Sequence, residues 1–152
     1  MSSLSSMKDN QVFLAFSTYA IIVILKMMLM SFWTSYFRLT RKAFANLEDT
    51  KLVSPTEDKK LVIVNPDVER VRRCHQNDLE NVIPFVLVGL LYTLTGPELS
   101  TALLHFRVFV VSRIFHTIAY VGCLPQPSRG LCFMVGVLVT FSMAWTVLST
   151  AL

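Results

Sequence analysis

The chain has 152 residues, of which 53% are hydrophobic and 16% charged, with a net charge of +4. A water-soluble domain of this size scatters its charges over its surface; here residues 10–37 carry only Lys26 and residues 130–152 carry none, which excludes that class and points to an integral membrane protein. The positive excess is local, since residues 38–73 hold nine of the 14 Lys and Arg, and without aromatic interleaving it argues against nucleic acid as a partner.

Residues 1–11 are polar and Ser-rich, with Lys8 and Asp9. The apolar run that follows, about 12–37, is long enough to cross ~30 Å of hydrocarbon. It exceeds a signal-peptide core and lacks a small-residue cleavage pattern, so it reads as a retained helix. Lys26, near its middle, is expected to pair inside a bundle or snorkel.

Residues 38–66 form the extended polar stretch, with Ser54-Pro55, Glu57-Asp58-Lys59-Lys60 and Asn65-Pro66 marking a surface loop. A second helix is expected over about 67–95, membranous from Leu79, with Pro84 inside it. Thr95-Gly96-Pro97-Glu98 reads as a turn. A third helix spans about 99–121, and a fourth about 129–148 after the Pro125 and Pro127 connection. The fold class is all-α, an integral membrane bundle of four helices in a single domain over 1–152. Counting cations by the positive-inside rule puts the long loop and Arg129 in the cytosol and both termini in the lumen.

Two polar stripes break the apolar pattern. Arg73, Asn77 and Glu80 stand at i, i+4 and i+7, with Arg70 at i−3, so they share a helix face. Arg113, His116 and Tyr120 stand at i, i+3 and i+7 of the next helix. An arginine at a membrane-helix centre costs roughly 2.5–3.5 kcal/mol on insertion scales. The stripes are tolerated best around a shared polar cavity, where Arg113 pairs with Glu80 or Asp78 from the opposing helix. Together with Arg129 they supply cations, an amide, a carboxylate, an imidazole and a phenol. That set suits a small zwitterionic ligand with several carboxylates, because guanidinium groups hold carboxylates bidentately and Glu80 can take an ammonium. The rival reading is an internal salt-bridge network, expected above all for His105 and Arg107. Cys74, Cys123 and Cys132 form neither a CxxC pair nor a metal-ligand spacing. Nucleotide-loop, hydrolase-triad and HExxH motifs are absent.

The segments Lys26-Met27-Met28-Leu29-Met30-Ser31, Arg38-Leu39-Thr40-Arg41-Lys42, Val68-Glu69-Arg70-Val71-Arg72-Arg73, Asn77-Asp78-Leu79-Glu80-Asn81, His105-Phe106-Arg107, His116-Thr117-Ile118-Ala119-Tyr120 and Leu124-Pro125-Gln126-Pro127 resemble the membrane-associated proteins in eicosanoid and glutathione metabolism, from about residue 12 to 145. The resemblance implies a homotrimer in endoplasmic reticulum and mitochondrial outer membranes. It implies glutathione as co-substrate without a metal, bound between subunits near the cytosolic side by Arg38, Arg73, Asn77, Glu80, Arg113, His116 and Tyr120. Arg129 is then the catalytic cation that favours the thiolate. The implied activity is conjugation of glutathione to lipophilic electrophiles, with reduction of lipid hydroperoxides. Gln76, Gly130 and Phe133 stand where the family's prostaglandin E synthase has Arg, Ser and Tyr, which favours a transferase over that isomerase. A non-catalytic lipid-binding scaffold is the other alternative in the family. Thr50 occupies a place where relatives carry a cysteine, so activation by thiol modification there is not implied for this chain.

Overall fold

The computed structural model describes residues 10–152, and the expected N-terminal tail with Lys8 lies outside them. Among the described residues four helices follow one another: α1 (Gln11–Arg41), α2 (Pro66–Leu94), α3 (Leu99–Val121) and α4 (Ser128–Ala151). Their boundaries have local causes. Asn10 caps α1 by accepting from the Val12 and Phe13 amides at 3.0 and 3.1 Å, and Lys42 ends it in the left-handed region at φ 49°. Asn65 caps α2 and Pro66 opens it, where a missing N–H costs nothing. Glu98 caps α3 through the Ser100 and Thr101 amides. Gly96, at φ 67°, supplies the turn between α2 and α3.

The helices pack as a ring, α1 on α2 and α3, and α4 on the same two from the other side. Aromatic rings fill the centre. Phe85 stacks on Phe109 with centroids 3.7 Å apart and planes 3° from parallel, while Phe16 leans on Phe106 at 5.5 Å. Gly89 makes room for Phe16: a Cβ there would sit 2.4 Å from its ring. Outside, Leu29, Phe32, Phe141 and Trp145 are exposed. Apolar side chains this prominent on several helices mark a surface made for lipid rather than water.

α1, α3 and α4 are each long and apolar enough to cross a membrane. α2 is built differently from these three. Its first half carries Arg70, Arg72, Arg73, Asp78 and Glu80, and its continuous apolar part begins only at Val82. At the loop end, Met30, Val71 and Cys74 cluster with Phe37, Tyr120 and Val121. This fixes the end of α1, the start of α2 and the end of α3 at one level.

The loop between α1 and α2 has more structure than its composition suggests. It contains two short 3-10 turns, Glu48–Leu52 and Lys59–Leu61, and a parallel bridge joins Phe44 to Val62. Thr50 is fully buried; its hydroxyl donates to the Leu47 carbonyl at 2.6 Å and accepts from the Asp58 amide at 3.0 Å.

Candidate functional site

The inner faces of α1, α2 and α3 meet in a buried polar layer. Arg113 on α3 is 0% exposed, and its Nη2 donates to Asn77 Oδ1 on α2 at 3.1 Å. Its Nε lies 4.0 Å from Asp78 Oδ1, too long for a hydrogen bond but close for opposite charges. Asp78 is also 0% exposed, and its Oδ2 accepts from Lys26 Nζ of α1 at 2.5 Å. The partner of Arg113 is thus Asp78; Glu80 points elsewhere. Lys26 does pair within the bundle.

Toward the loop end the layer continues as a stack. His116, 2% exposed, lies with its ring centroid 5.4 Å from that of Tyr120. The Arg129 guanidinium, from the first turn of α4, sits 4.9 Å above the Tyr120 ring, a cation–π contact. Several of these groups keep unused hydrogen-bonding capacity. Arg113 Nε and Nη1, His116 Nδ1, Arg129 Nε and Asp78 Oδ1 are buried without a hydrogen-bond partner among the described residues. Buried polar atoms are normally satisfied; apart from the acceptor Asp78 Oδ1 these are guanidinium and imidazole nitrogens, a set that fits a ligand rich in carboxylates.

The remaining candidates lie outside that layer. Arg73 is exposed, and its Nε donates to the Glu69 carbonyl at 3.2 Å. Glu80 is exposed, accepts from Gln76 Nε2 at 3.3 Å, and borders a cleft of about 280 Å³ between α2 and α4 with Asn81, Pro84, Phe133 and Phe141. Arg38 lines a separate groove of about 340 Å³ with Phe44, Ile63, Glu69 and Arg72. Glu69 there is held below the usual carboxylate range by its hydrogen bond from Arg72. Of the proposed stripes, Arg113, His116, Tyr120, Asn77 and Arg129 come together within one chain. Arg38, Arg73 and Glu80 face outward.

Residues 16–149 match the MAPEG family. The chain belongs to the MAPEG family. It is 55% identical to microsomal glutathione S-transferase 1 of Sus scrofa and to that of Homo sapiens, in each case over 100% of this chain and 99% of the relative. Prostaglandin E synthase of Homo sapiens is 37% identical over 88% of this chain and 86% of its own length.

In this MAPEG chain, spacing alone understated Asp78. Charge left Asp78 and Glu80 as equal candidates for Arg113, yet Asp78 is the anion between Lys26 and Arg113. A signal existed: Asp78 falls at i+4 from Cys74 and i+7 from Val71, both fully buried, so its face is the inward one. His105 and Arg107 are cross-links away from this layer. His105 Nε2 and the Ser142 hydroxyl are 3.0 Å apart, and Arg107 Nε donates to the Tyr19 hydroxyl at 2.9 Å. No cluster of three or more His, Cys, Asp or Glu able to hold a metal occurs among the described residues.

Proposed function

We propose that this MAPEG protein is a membrane-bound glutathione transferase that joins the glutathione thiolate to lipophilic electrophiles. The observation that carries the reading is the set of buried, unpartnered donors on Arg113, His116 and Arg129 at the loop end of the bundle, in a chain whose full-length relatives are named for that activity. Glutathione offers two carboxylates, an ammonium and a thiol. Arg113 and Arg73 would hold carboxylates, Asn77 would hydrogen-bond the peptide, and Glu80 would take the ammonium. His116 and Tyr120 add donors beside them.

Arg129 would act on the sulfur. A free thiol of pKa about 8.5 is only a few per cent thiolate at neutral pH. A guanidinium beside it favours the anion, and each unit of lowering corresponds to about 1.4 kcal/mol. The amides at the start of α4 add positive potential. The thiolate then forms a bond to the electrophilic carbon of a substrate drawn from the bilayer, and the leaving group departs with the electron pair. Reduction of lipid hydroperoxides by glutathione follows from the same nucleophile. Arg38, seated away from the other candidates, would complete the site of a neighbouring subunit in a homotrimer. The loop and Arg129 would face the cytosol, with the C-terminus luminal, in endoplasmic reticulum and mitochondrial outer membranes.

The test is a spectrophotometric assay of purified protein with glutathione and an activated aryl halide. Net loss of glutathione matched by thioether formation supports the transferase. Conversion of prostaglandin H with glutathione regenerated, and no thioether, would replace it by an isomerase. Glutathione binding without either product would leave a non-catalytic scaffold.

A further inference from the structure

Asp78 has a geometry that a simple ion pair does not require. Its two oxygens are differently engaged: Oδ2 is taken by Lys26 at 2.5 Å, while Oδ1 faces Arg113 Nε at 4.0 Å with no hydrogen bond of its own among the described residues. A guanidinium is a rigid planar fork, so a hydrogen bond at one nitrogen and a charge drawing a second set the direction of the third. Asn77 holds Nη2 at 3.1 Å, and the Asp78 charge lies on the Nε side. Nη1 is buried and without a hydrogen-bond partner among the described residues. Charge adds a second constraint. Lys26, Asp78 and Arg113 sum to one excess positive charge in a layer where Asp78 and Arg113 are both 0% exposed. Uncompensated charge in such surroundings is costly, and an arriving carboxylate removes it.

We infer that Asp78 is a positioning residue for the ligand: held by Lys26 from α1, it aims the free edge of Arg113 at a glutathione carboxylate. This rests on the glutathione reading above. Lys26 thereby ties α1 of the same subunit to a site whose other groups from that subunit come from α2, α3 and α4. Its role differs from that of Arg129, because Asp78 acts on binding and Arg129 on the sulfur.

The experiment compares wild type, Asp78→Asn, the charge-balanced pair Lys26→Met with Asp78→Asn, and the conservative Lys26→Arg, all purified in the same detergent. Each is measured for helical signal, thermal melting, and kcat and KM for glutathione in conjugation of an aryl halide. Losing a charge-assisted hydrogen bond weakens binding by an order of magnitude or more, so the balanced pair should fold like wild type, with KM for glutathione raised about tenfold or more and kcat changed less than about twofold. Lys26→Arg should keep KM within about twofold. A balanced pair with wild-type KM overturns the inference. So does a proportional fall in kcat with KM unmoved, which would place Asp78 in the chemistry. Failure of both Asp78 variants to fold also overturns it, because the pair would then be structural. If wild type itself neither binds nor conjugates glutathione, the glutathione reading fails and the inference with it; wild-type activity with unmoved variants rejects the inference alone.

Discussion

Substitution of Gly89 by alanine tests the packing that holds the polar layer in register. A Cβ at this position would lie 2.4 Å from Phe16 Cε2 and 3.1 Å from Cδ2, well inside van der Waals contact. The ring cannot swing away easily, because Phe16 is buried against Phe85 and Phe106, with centroids 6.2 and 5.5 Å off. The clash must therefore move α1 relative to α2. Overpacking of a filled core costs about 1–3 kcal/mol, and the boxed ring puts this site at the upper end. Replacing glycine within a helix returns about 1 kcal/mol of propensity. The net expectation is a loss of about 1–2 kcal/mol, or a few degrees in melting temperature for a chain of this size. Gly130→Ala is the control, because its nearest neighbour would be the Gln126 side chain at 3.9 Å; it should be neutral or slightly stabilising. Thermal unfolding followed by circular dichroism in detergent reads both. Gly89→Ala as stable as Gly130→Ala would refute the packing account. Restoration of stability by Phe16→Leu in the Gly89→Ala background would confirm where the strain lies.

Three further outcomes are expected. Thr50→Val strands the Asp58 amide, which donates to the Thr50 hydroxyl, while the Leu47 carbonyl keeps only its bond from the Thr50 amide. It should loosen the loop by about 1–3 kcal/mol, seen as faster proteolysis between α1 and α2 with the helices intact. The Glu98 carboxyl is held below its ordinary range by hydrogen bonds, first from the Ser100 hydroxyl and then from that of Thr101. Its depressed folded value means that its contribution is present above the ordinary carboxylate pKa and disappears as pH falls through the folded one. Melting temperature should fall less with acidification in Glu98→Gln than in wild type; parallel curves would remove the cap from the account. Glu80→Gln and Arg73→Ala should each raise the dissociation constant for glutathione about tenfold, the scale of a lost hydrogen bond to a charged group. Equilibrium binding at wild-type affinity would assign those side chains to the surface alone.

The helices were readable from the sequence because their signals are local: Asn10, Asn65-Pro66 and Glu98 announce starts, and long apolar runs follow them. The stripe of Arg113, His116 and Tyr120 was readable for the same reason, since one helix sets the relation among its own residues. Choosing a partner across helices was not. Asp78 and Glu80 are two residues apart on α2 and equally plausible by charge, yet the rotation of α2 in the ring buries the first and exposes the second. That rotation depends on Phe85, Gly89 and Val71 packing against α1 and α3, and no single window contains this information. Lys26 and Asp78 are likewise joined across 52 positions of sequence. The loop was legible as polar but not as ordered, because its staple is one buried threonine whose partners are backbone groups.

The most direct measurement is the ultraviolet thiolate absorbance that develops when glutathione is added at neutral pH to the purified protein, with binding followed in parallel by equilibrium dialysis. Wild type should bind glutathione and display the thiolate band. Arg129→Leu should bind it with little loss of affinity and display the band weakly or not at all. Bound glutathione without a thiolate band in the wild type, or an undiminished band in Arg129→Leu, would contradict the claim that this cationic end of the bundle ionises the thiol.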